Sequence, residues 1–239
     1  MITPEELPAW IIHEDLDTLA VNKPGLVVCH PSKHGPWSSL IGAAREYTGL
    51  ARLHMPSRLD RETSGVVALA KSAEMGSRMQ RAIQRRRVEK SYVAVLRGSL
   101  SETVTVEEPI GPHPDSRVAI RRAVCANGQP ALTAFEPVRA LRGHTLVRVR
   151  PHTGRLHQIR VHAEWLGHPV AGDKIYGGDE TLFLEFIERG FTDRLREALP
   201  LPRQALHAER LAFDLVDETR AYEAPLTPDL ANWIESLSI

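Results

Sequence analysis

The chain is short of several things, and each shortage excludes something. Only 2 of its 239 residues are cysteine and 5% are aromatic. No apolar stretch approaches the ~20 residues that a membrane-spanning helix needs; the longest, such as residues 66–70, are strand-sized. Cys29 and Cys125 form neither a disulfide framework nor a zinc-ligand spacing, and read as buried thiols in a reducing compartment. Charge of one sign is missing too, since 30 Lys and Arg balance 30 Asp and Glu. That excludes a surface coated uniformly in positive charge. There is no internal repeat, no low-complexity tract and no Gly/Ser-rich linker. Residues 1–6 are acidic, without a basic and apolar leader, so neither secretion nor organelle import is signalled. A Walker P-loop, a GxGxxG after a strand and a GxSxG elbow are all absent. Nucleotide hydrolysis, dinucleotide redox chemistry and serine esterase chemistry therefore lose their basis. The expectation is a soluble cytoplasmic protein.

What is present is an ordinary globular composition, 42% apolar and 25% charged, consistent with one domain over residues 1–239. The zero net charge conceals an uneven distribution. Between Arg78 and Arg160 sixteen Lys and Arg face six Asp and Glu, while the first 20 residues hold five acids and no Lys or Arg. Residues 207–239 hold seven acids and two arginines. A basic block between acidic ends suits a polyanionic partner on one face; the alternative is a set of solvated arginines.

Residues 19–28 resemble two short strands broken at the turn Lys23-Pro24-Gly25. Residues 38–47 suit a short helix ending at Gly49. The polar stretch 57–65 feeds an apolar strand over 66–70, and Ser72 is a good N-cap for a helix with Met75, Met79 and Ile83 on one face. Residues 88–96 alternate as a strand, which puts Lys90 and Tyr92 on the same side. Further strands are expected over 118–124, 132–138 and 145–150, with turns at Asn127-Gly128 and near Gly143. A helix should open within 157–162, turn Ile159, Ala163 and Leu166 inward, and stop at Gly167. Residues 179–189 and 193–199 read as helices separated by Gly190. Strands outnumber helices without regular alternation, so the class is α+β: a mixed, largely antiparallel central sheet flanked by helices.

Three places could carry chemistry. Asp60 sits in a loop beside Arg58 and Arg61, where guanidinium groups would keep a nucleophilic or charge-stabilising carboxylate ionised; the plain alternative is an Asp that bonds its own turn. Tyr92 is either a core residue with its hydroxyl tied off or a ring and phenol aimed at a substrate base. His152, His157 and His162 invite a metal reading, but a spacing of five turns the side chain by ~140° on a helix and switches faces on a strand, which opposes shared ligation. Arg160 would face inward on the helix among apolar neighbours, and a buried arginine needs an acidic partner.

In combination these segments resemble the RluA-type pseudouridine synthases. The motif HRLDxxTSG stands here as Ser57-Arg58-Leu59-Asp60-Arg61-Glu62-Thr63-Ser64-Gly65, and KxY as Lys90-Ser91-Tyr92. GRxHQIRVH is Gly154-Arg155-Leu156-His157-Gln158-Ile159-Arg160-Val161-His162, followed by GHPVxGDxxYG from Gly167 to Gly177. Val21-Asn22-Lys23-Pro24-Gly25 matches the opening turn and Leu206-His207-Ala208 a late element. The motifs run in order over about 10–226. Ser57 stands where the family usually has His, and Leu156 where Thr or Ser is common; neither replaces a residue expected to do chemistry.

The resemblance implies the pseudouridine synthase fold in a short, single-domain member without the small N-terminal RNA-binding domain of many relatives. It implies isomerisation of uridine in structured RNA, rRNA or tRNA, with no cofactor and no metal, by a monomer. It casts Asp60 as the attacking carboxylate, either adding to the anomeric carbon or assisting elimination to a glycal. Tyr92 packs on the base and moves a proton, and Arg160 pairs with the aspartate. Arg58 would fill the space left by the flipped-out nucleotide; Lys90, Arg155, His157 and Gln158 join it as substrate-binding residues. The stretch 179–200 is expected to be a helical insertion near the site.

Overall fold

A computed structural model describes residues 1–30 and 35–238. Along the chain run α1 (Glu6–Trp10), β1 (Ile11–Glu14), β2 (Thr18–Lys23), α2 (Leu40–Thr48), β3 (Ser64–Ala70), α3 (Ala73–Gln84) and β4 (Val88–Arg97). They are followed by β5 (Val104–Val106), β6 (Ile110–Pro112), β7 (Arg122–Val124), β8 (Thr133–Leu141), β9 (His144–Pro151) and α4 (Gln158–Trp165). The last third holds α5 (Thr181–Arg189), α6 (Asp193–Ala198), β10 (Leu206–Asp214), β11 (Thr219–Glu223) and α7 (Pro228–Ser236). The α+β class expected from the sequence is what forms. Two compact units divide the chain, one from residues 1–90 and 207–227, the other from 91–206 and 228–239.

In the first unit β1, β2, β3, β10 and β11 pair in that order. All these pairings are antiparallel except β3 with β10. Every residue of β3 is buried, which is why its sequence is a continuous apolar run: both faces of the strand are covered. Val66, Ala68 and Ala70 pack with Met75, Met79 and Ala82 of α3, together with Leu211 and Phe213. Val67 and Leu69 pack on the other side with Leu40, Ala43 and Ala44 of α2. As expected, Ser72 caps α3, its hydroxyl accepting from the Met75 N–H at 3.1 Å. The parallel pairing sets Gly65 opposite Ala208. Gly65 has φ +111°, and a Cβ there would lie 2.2 Å from the Ala208 carbonyl oxygen, so only glycine permits the approach.

In the second unit β4, β9, β8 and β5 form an antiparallel sheet, with β6 and β7 as a separate hairpin. Tyr92 lies opposite Val149, and Val149 opposite Phe135, so by the two-residue alternation these side chains share one face. Helix α4 is tied to that face through Thr133, whose hydroxyl meets Gln158 Nε2 at 2.9 Å and His162 Nδ1 at 2.8 Å. Ile159 and Ala163 are buried as expected, whereas Leu166 is half-buried. Val161 joins Ile110, Val118, Ala131, Ile175 and Tyr176 in a cluster against which Phe183 and Leu184 of α5 pack.

Two strand expectations are corrected. No strand follows the Lys23-Pro24-Gly25 turn: Leu26 adopts φ +67°, and the Val28 and Cys29 carbonyls accept from the first turn of α2 instead of from a neighbouring strand. Of residues 118–124, only Arg122–Val124 is extended, because the Arg121 N–H turns back to the Val118 carbonyl at 2.9 Å. Among the described residues no helix is long and apolar enough to cross a membrane.

Candidate active site

Asp60 is half-buried in the irregular segment before β3, and its carbonyl accepts from the Thr63 N–H at 3.2 Å. Backbone this irregular needs partners outside itself; two side chains supply them, and a third holds the Ser57 hydroxyl. Lys90 Nζ donates to Ser57 Oγ at 3.2 Å, Cys29 Sγ to the Leu59 carbonyl at 3.4 Å, and Lys23 Nζ to the Arg61 carbonyl at 3.1 Å. Lys23 is fully buried and also donates to the carbonyls of Pro24 and Val27 at 2.8 and 2.9 Å. A buried ammonium is tolerated only when its donors are engaged, so one cation staples the turn after β2 to the residue following Asp60. Burial raises the Cys29 pKa and keeps the thiol protonated, the form that can donate.

Arg58 is exposed. His30, which the sequence reading did not single out, has its pKa lowered by burial and by the charge of Arg58. Burial also lowers the Lys90 pKa. Among the described residues Ser57 is the one hydrogen-bond partner of Lys90, which leaves ammonium donors available to an incoming acceptor.

In the second unit, Tyr92 is half-buried on β4. Arg160, on the first turn of α4, is buried and bonds a carboxylate in bidentate fashion. Its Nε donates to Asp173 Oδ2 at 2.6 Å and its Nη2 to Asp173 Oδ1 at 2.9 Å. Asp173 Oδ1 also accepts from the Ile175 and Tyr176 N–H groups at 2.9 and 3.2 Å, so the turn after β9 and α4 is organised around the same carboxylate. The Arg160 guanidinium lies 4.9 Å from the centroid of the Tyr176 ring, within cation–π range. The Tyr176 hydroxyl accepts from the Arg122 N–H at 3.0 Å and meets His157 Nδ1 at 2.8 Å.

Asp173, a carboxylate partner of Arg160, is a residue that the sequence reading did not single out. It stood in the quoted GDxxYG stretch, and a buried arginine demanded an acid, but no helical or strand period joins two residues thirteen apart.

Gln158 has no hydrogen-bonding capacity left over. Its Oε1 accepts from Thr153 Oγ1 at 2.7 Å and from the Arg155 N–H at 3.0 Å, while Nε2 donates to the Leu132 carbonyl and to Thr133 Oγ1. Arg155 Nε donates to the Pro130 carbonyl at 3.0 Å, which leaves its two terminal nitrogens without a partner among the described residues. His152 is exposed. His162 is buried with both ring nitrogens engaged, Nδ1 by Thr133 Oγ1 and Nε2 by the Glu108 carbonyl at 3.0 Å. The three histidines therefore have three separate environments. Of the residues singled out, Arg58, Asp60 and Lys90 belong to the first unit and Tyr92, Arg155, His157, Gln158 and Arg160 to the second.

Comparison with known proteins identifies the class as RNA-modifying isomerases. The family model for RNA pseudouridylate synthase matches residues 17–165. The ribosomal large subunit pseudouridine synthase D of Vibrio vulnificus (strain CMCP6) is 35% identical over 239 residues, covering 98% of this chain and 72% of that protein. Its counterpart in Escherichia coli (strain K12) is 34% identical over 238 residues, covering 97% and 71%. Among solved structures, human RNA pseudouridylate synthase domain containing 1 superposes with a TM-score of 0.76 at 29% identity, covering 97% of this chain and 89% of that one. The chain belongs to the RNA pseudouridylate synthase family. Its activity is the isomerisation of uridine in RNA to pseudouridine.

Proposed function

We propose that the substrate is a uridine in structured ribosomal RNA of the large subunit and that Asp60 is the nucleophile. The names of the bacterial relatives favour large-subunit rRNA over tRNA, and the excess of arginine between residues 78 and 160 suits a polyanion. The observation that carries the role of Asp60 is its tethered loop: Ser57, Leu59 and Arg61 are each held by a side chain from elsewhere in the unit. A reacting carboxylate needs its orientation fixed before the substrate arrives.

In the reaction the bond from the sugar's anomeric carbon to N1 of uracil breaks, and a bond from that carbon to C5 forms. C5 then loses its proton and N1 gains one, so atoms and electrons balance without an outside reactant. Asp60 attacks the target nucleotide as uracil leaves and is released when C5 bonds the anomeric carbon, Tyr92 packs on the base and moves the proton, and Arg160, aligned by Asp173, stabilises the aspartate's charge. The uridine must first leave the helix stack, at a cost of a few kcal/mol, and Arg58 fills the vacated space. Lys90 and Arg155, with donors to spare, bind RNA acceptors. Gln158 and His157 position: the first ties the 153–155 turn to β8, the second bonds the Tyr176 hydroxyl.

Asp60→Asn tests the reading. With deproteinised large-subunit rRNA, pseudouridine formation should vanish while RNA binding survives; turnover equal to wild type would refute the assignment.

A further inference from the structure

Helix α3 presents Arg78, Arg81 and Arg85 on one stripe, and Arg86 and Arg87 follow directly. The two ends of this series differ. Arg78 is neutralised by Asp217 and Glu218, at 2.5 and 3.2 Å. Arg87 has a loose contact with Asp214 at 3.9 Å, and nearby Glu89 is 3.9 Å from Arg210. Arg81, Arg85 and Arg86 are exposed and have no side-chain partner among the described residues.

Cations in the last turn of a helix are favoured by its dipole, which accounts in part for Arg81 and Arg85. It does not account for Arg86. The helix ends in a Schellman pattern, with the Arg87 N–H on the Ala82 carbonyl at 2.8 Å and the Arg86 N–H on the Ile83 carbonyl at 3.1 Å. That pattern puts Arg86 in the left-handed region at φ +57°, the position glycine ordinarily fills without strain. The chain accepts a strained arginine where the backbone favours glycine, at the unneutralised end of a basic stripe.

We propose that Arg81, Arg85 and Arg86 form a docking surface for the phosphate backbone of the substrate RNA, away from the reacting nucleotide. Three exposed guanidiniums, with no counter-charge among the described residues, present forked donors suited to phosphate oxygens. The surface lies near the proposed site along the chain, because only residues 87–89, at most about 13 Å of chain from Arg86 to Lys90, intervene before Lys90, which is bonded to the start of the Asp60 loop. The inference rests on the reading that RNA is the substrate.

The test is filter binding of deproteinised large-subunit rRNA by the full chain between about 50 and 200 mM salt. The variants are Arg86→Gly, the triple Arg81→Ala/Arg85→Ala/Arg86→Gly, and Asp60→Asn. Arg86→Gly should keep or raise Tm while lowering the log Kd against log salt slope by about one. The triple variant should lower the slope by about three and weaken binding at least about tenfold near 0.1 M salt, with KM rising in step. Asp60→Asn should bind with the wild-type slope, and its pseudouridine yield reports separately on the catalytic reading. A triple variant with wild-type Tm, slope and Kd overturns the proposal, even if it loses association with an acidic protein. So does a loss of affinity fully tracked by a loss of Tm.

Discussion

The bidentate contact between Arg160 and Asp173 supports a quantitative prediction. The two side chains are 6% and 0% exposed, so this is a buried ion pair, and breaking such a pair from one side costs about 3–5 kcal/mol. Asp173→Asn is the sharp perturbation. It preserves shape, and its remaining carbonyl oxygen can still accept from the Ile175 and Tyr176 N–H groups. But it removes the charge and turns an amide N–H₂ toward Arg160 Nε, donor against donor. A stability loss near the lower bound, about 3 kcal/mol, follows from urea unfolding. In a double-mutant cycle with Arg160→Met the two losses should not add, with a coupling of about 2 kcal/mol or more, since either change removes the same pair. If the guanidinium's orientation serves the reaction, Asp173→Asn should also lower kcat under conditions where the variant is fully folded. Stability within about 1 kcal/mol of wild type, or additive losses in the cycle, would refute the reasoning.

Lys23→Met leaves three carbonyls without their buried donor. Each uncompensated acceptor costs about 1–3 kcal/mol, offset in part by no longer burying a charge, so unfolding should show a net loss of about 2–4 kcal/mol; an unchanged kcat in folded enzyme would deny the staple its effect on the Asp60 loop. Gly65→Ala brings a Cβ to 2.2 Å from the Ala208 carbonyl oxygen at φ +111° and should cost about 3 kcal/mol or more; a melt within about 1 kcal/mol of wild type contradicts the close approach. His162 gives a pH dependence. Burial lowers its pKa below the ordinary value, so as pH falls below about 6.5 the unfolded chain takes up a proton that the folded ring resists. Stability should fall toward acid by up to about 1.4 kcal/mol per pH unit, and His162→Gln should flatten the difference between urea midpoints at pH 7 and pH 5.5; identical slopes would exclude the ring as the source.

Much of the fold was legible because local signals and burial agreed. The Ser72 cap and the Met75/Met79 face specify α3, and alternation specifies β4. Where the local signal conflicted with tertiary demand it misled: Leu26, Val27 and Val28 look strand-like, yet the Val28 and Cys29 carbonyls are taken by the start of α2 and the Lys23 ammonium needs Val27. Asp60 and Tyr92 stand out through the ordered motifs rather than through local pattern, since an Asp in a loop and a Tyr on a strand are ordinary, whereas Arg160 stands out locally as an arginine on the inward face of a helix. The acid facing Arg160 could not, since Asp173 reaches it only through a turn whose geometry no periodicity encodes. Nor could the interleaving of two units, each built from two separate stretches of chain.

Two buried cations bear on the proposed reaction: Lys23 bonds the residue after Asp60, and Arg160 is itself assigned a part in it. Stability alone does not explain them, because apolar residues of similar volume serve a core as well as or better than an ion pair. What a buried, fully engaged cation supplies is direction: Lys23 can satisfy three carbonyls in one arrangement only, and a guanidinium gripped at two oxygens cannot rotate. Extruding a uridine already costs a few kcal/mol, and every loop residue still to be ordered at that moment would add about 1–2 kcal/mol. Fixing the Asp60 loop and the Arg160 side chain during folding removes that cost from the extrusion step that follows RNA docking. On this reasoning, substitutions at the anchors should depress the rate of the chemical step more than they depress RNA affinity.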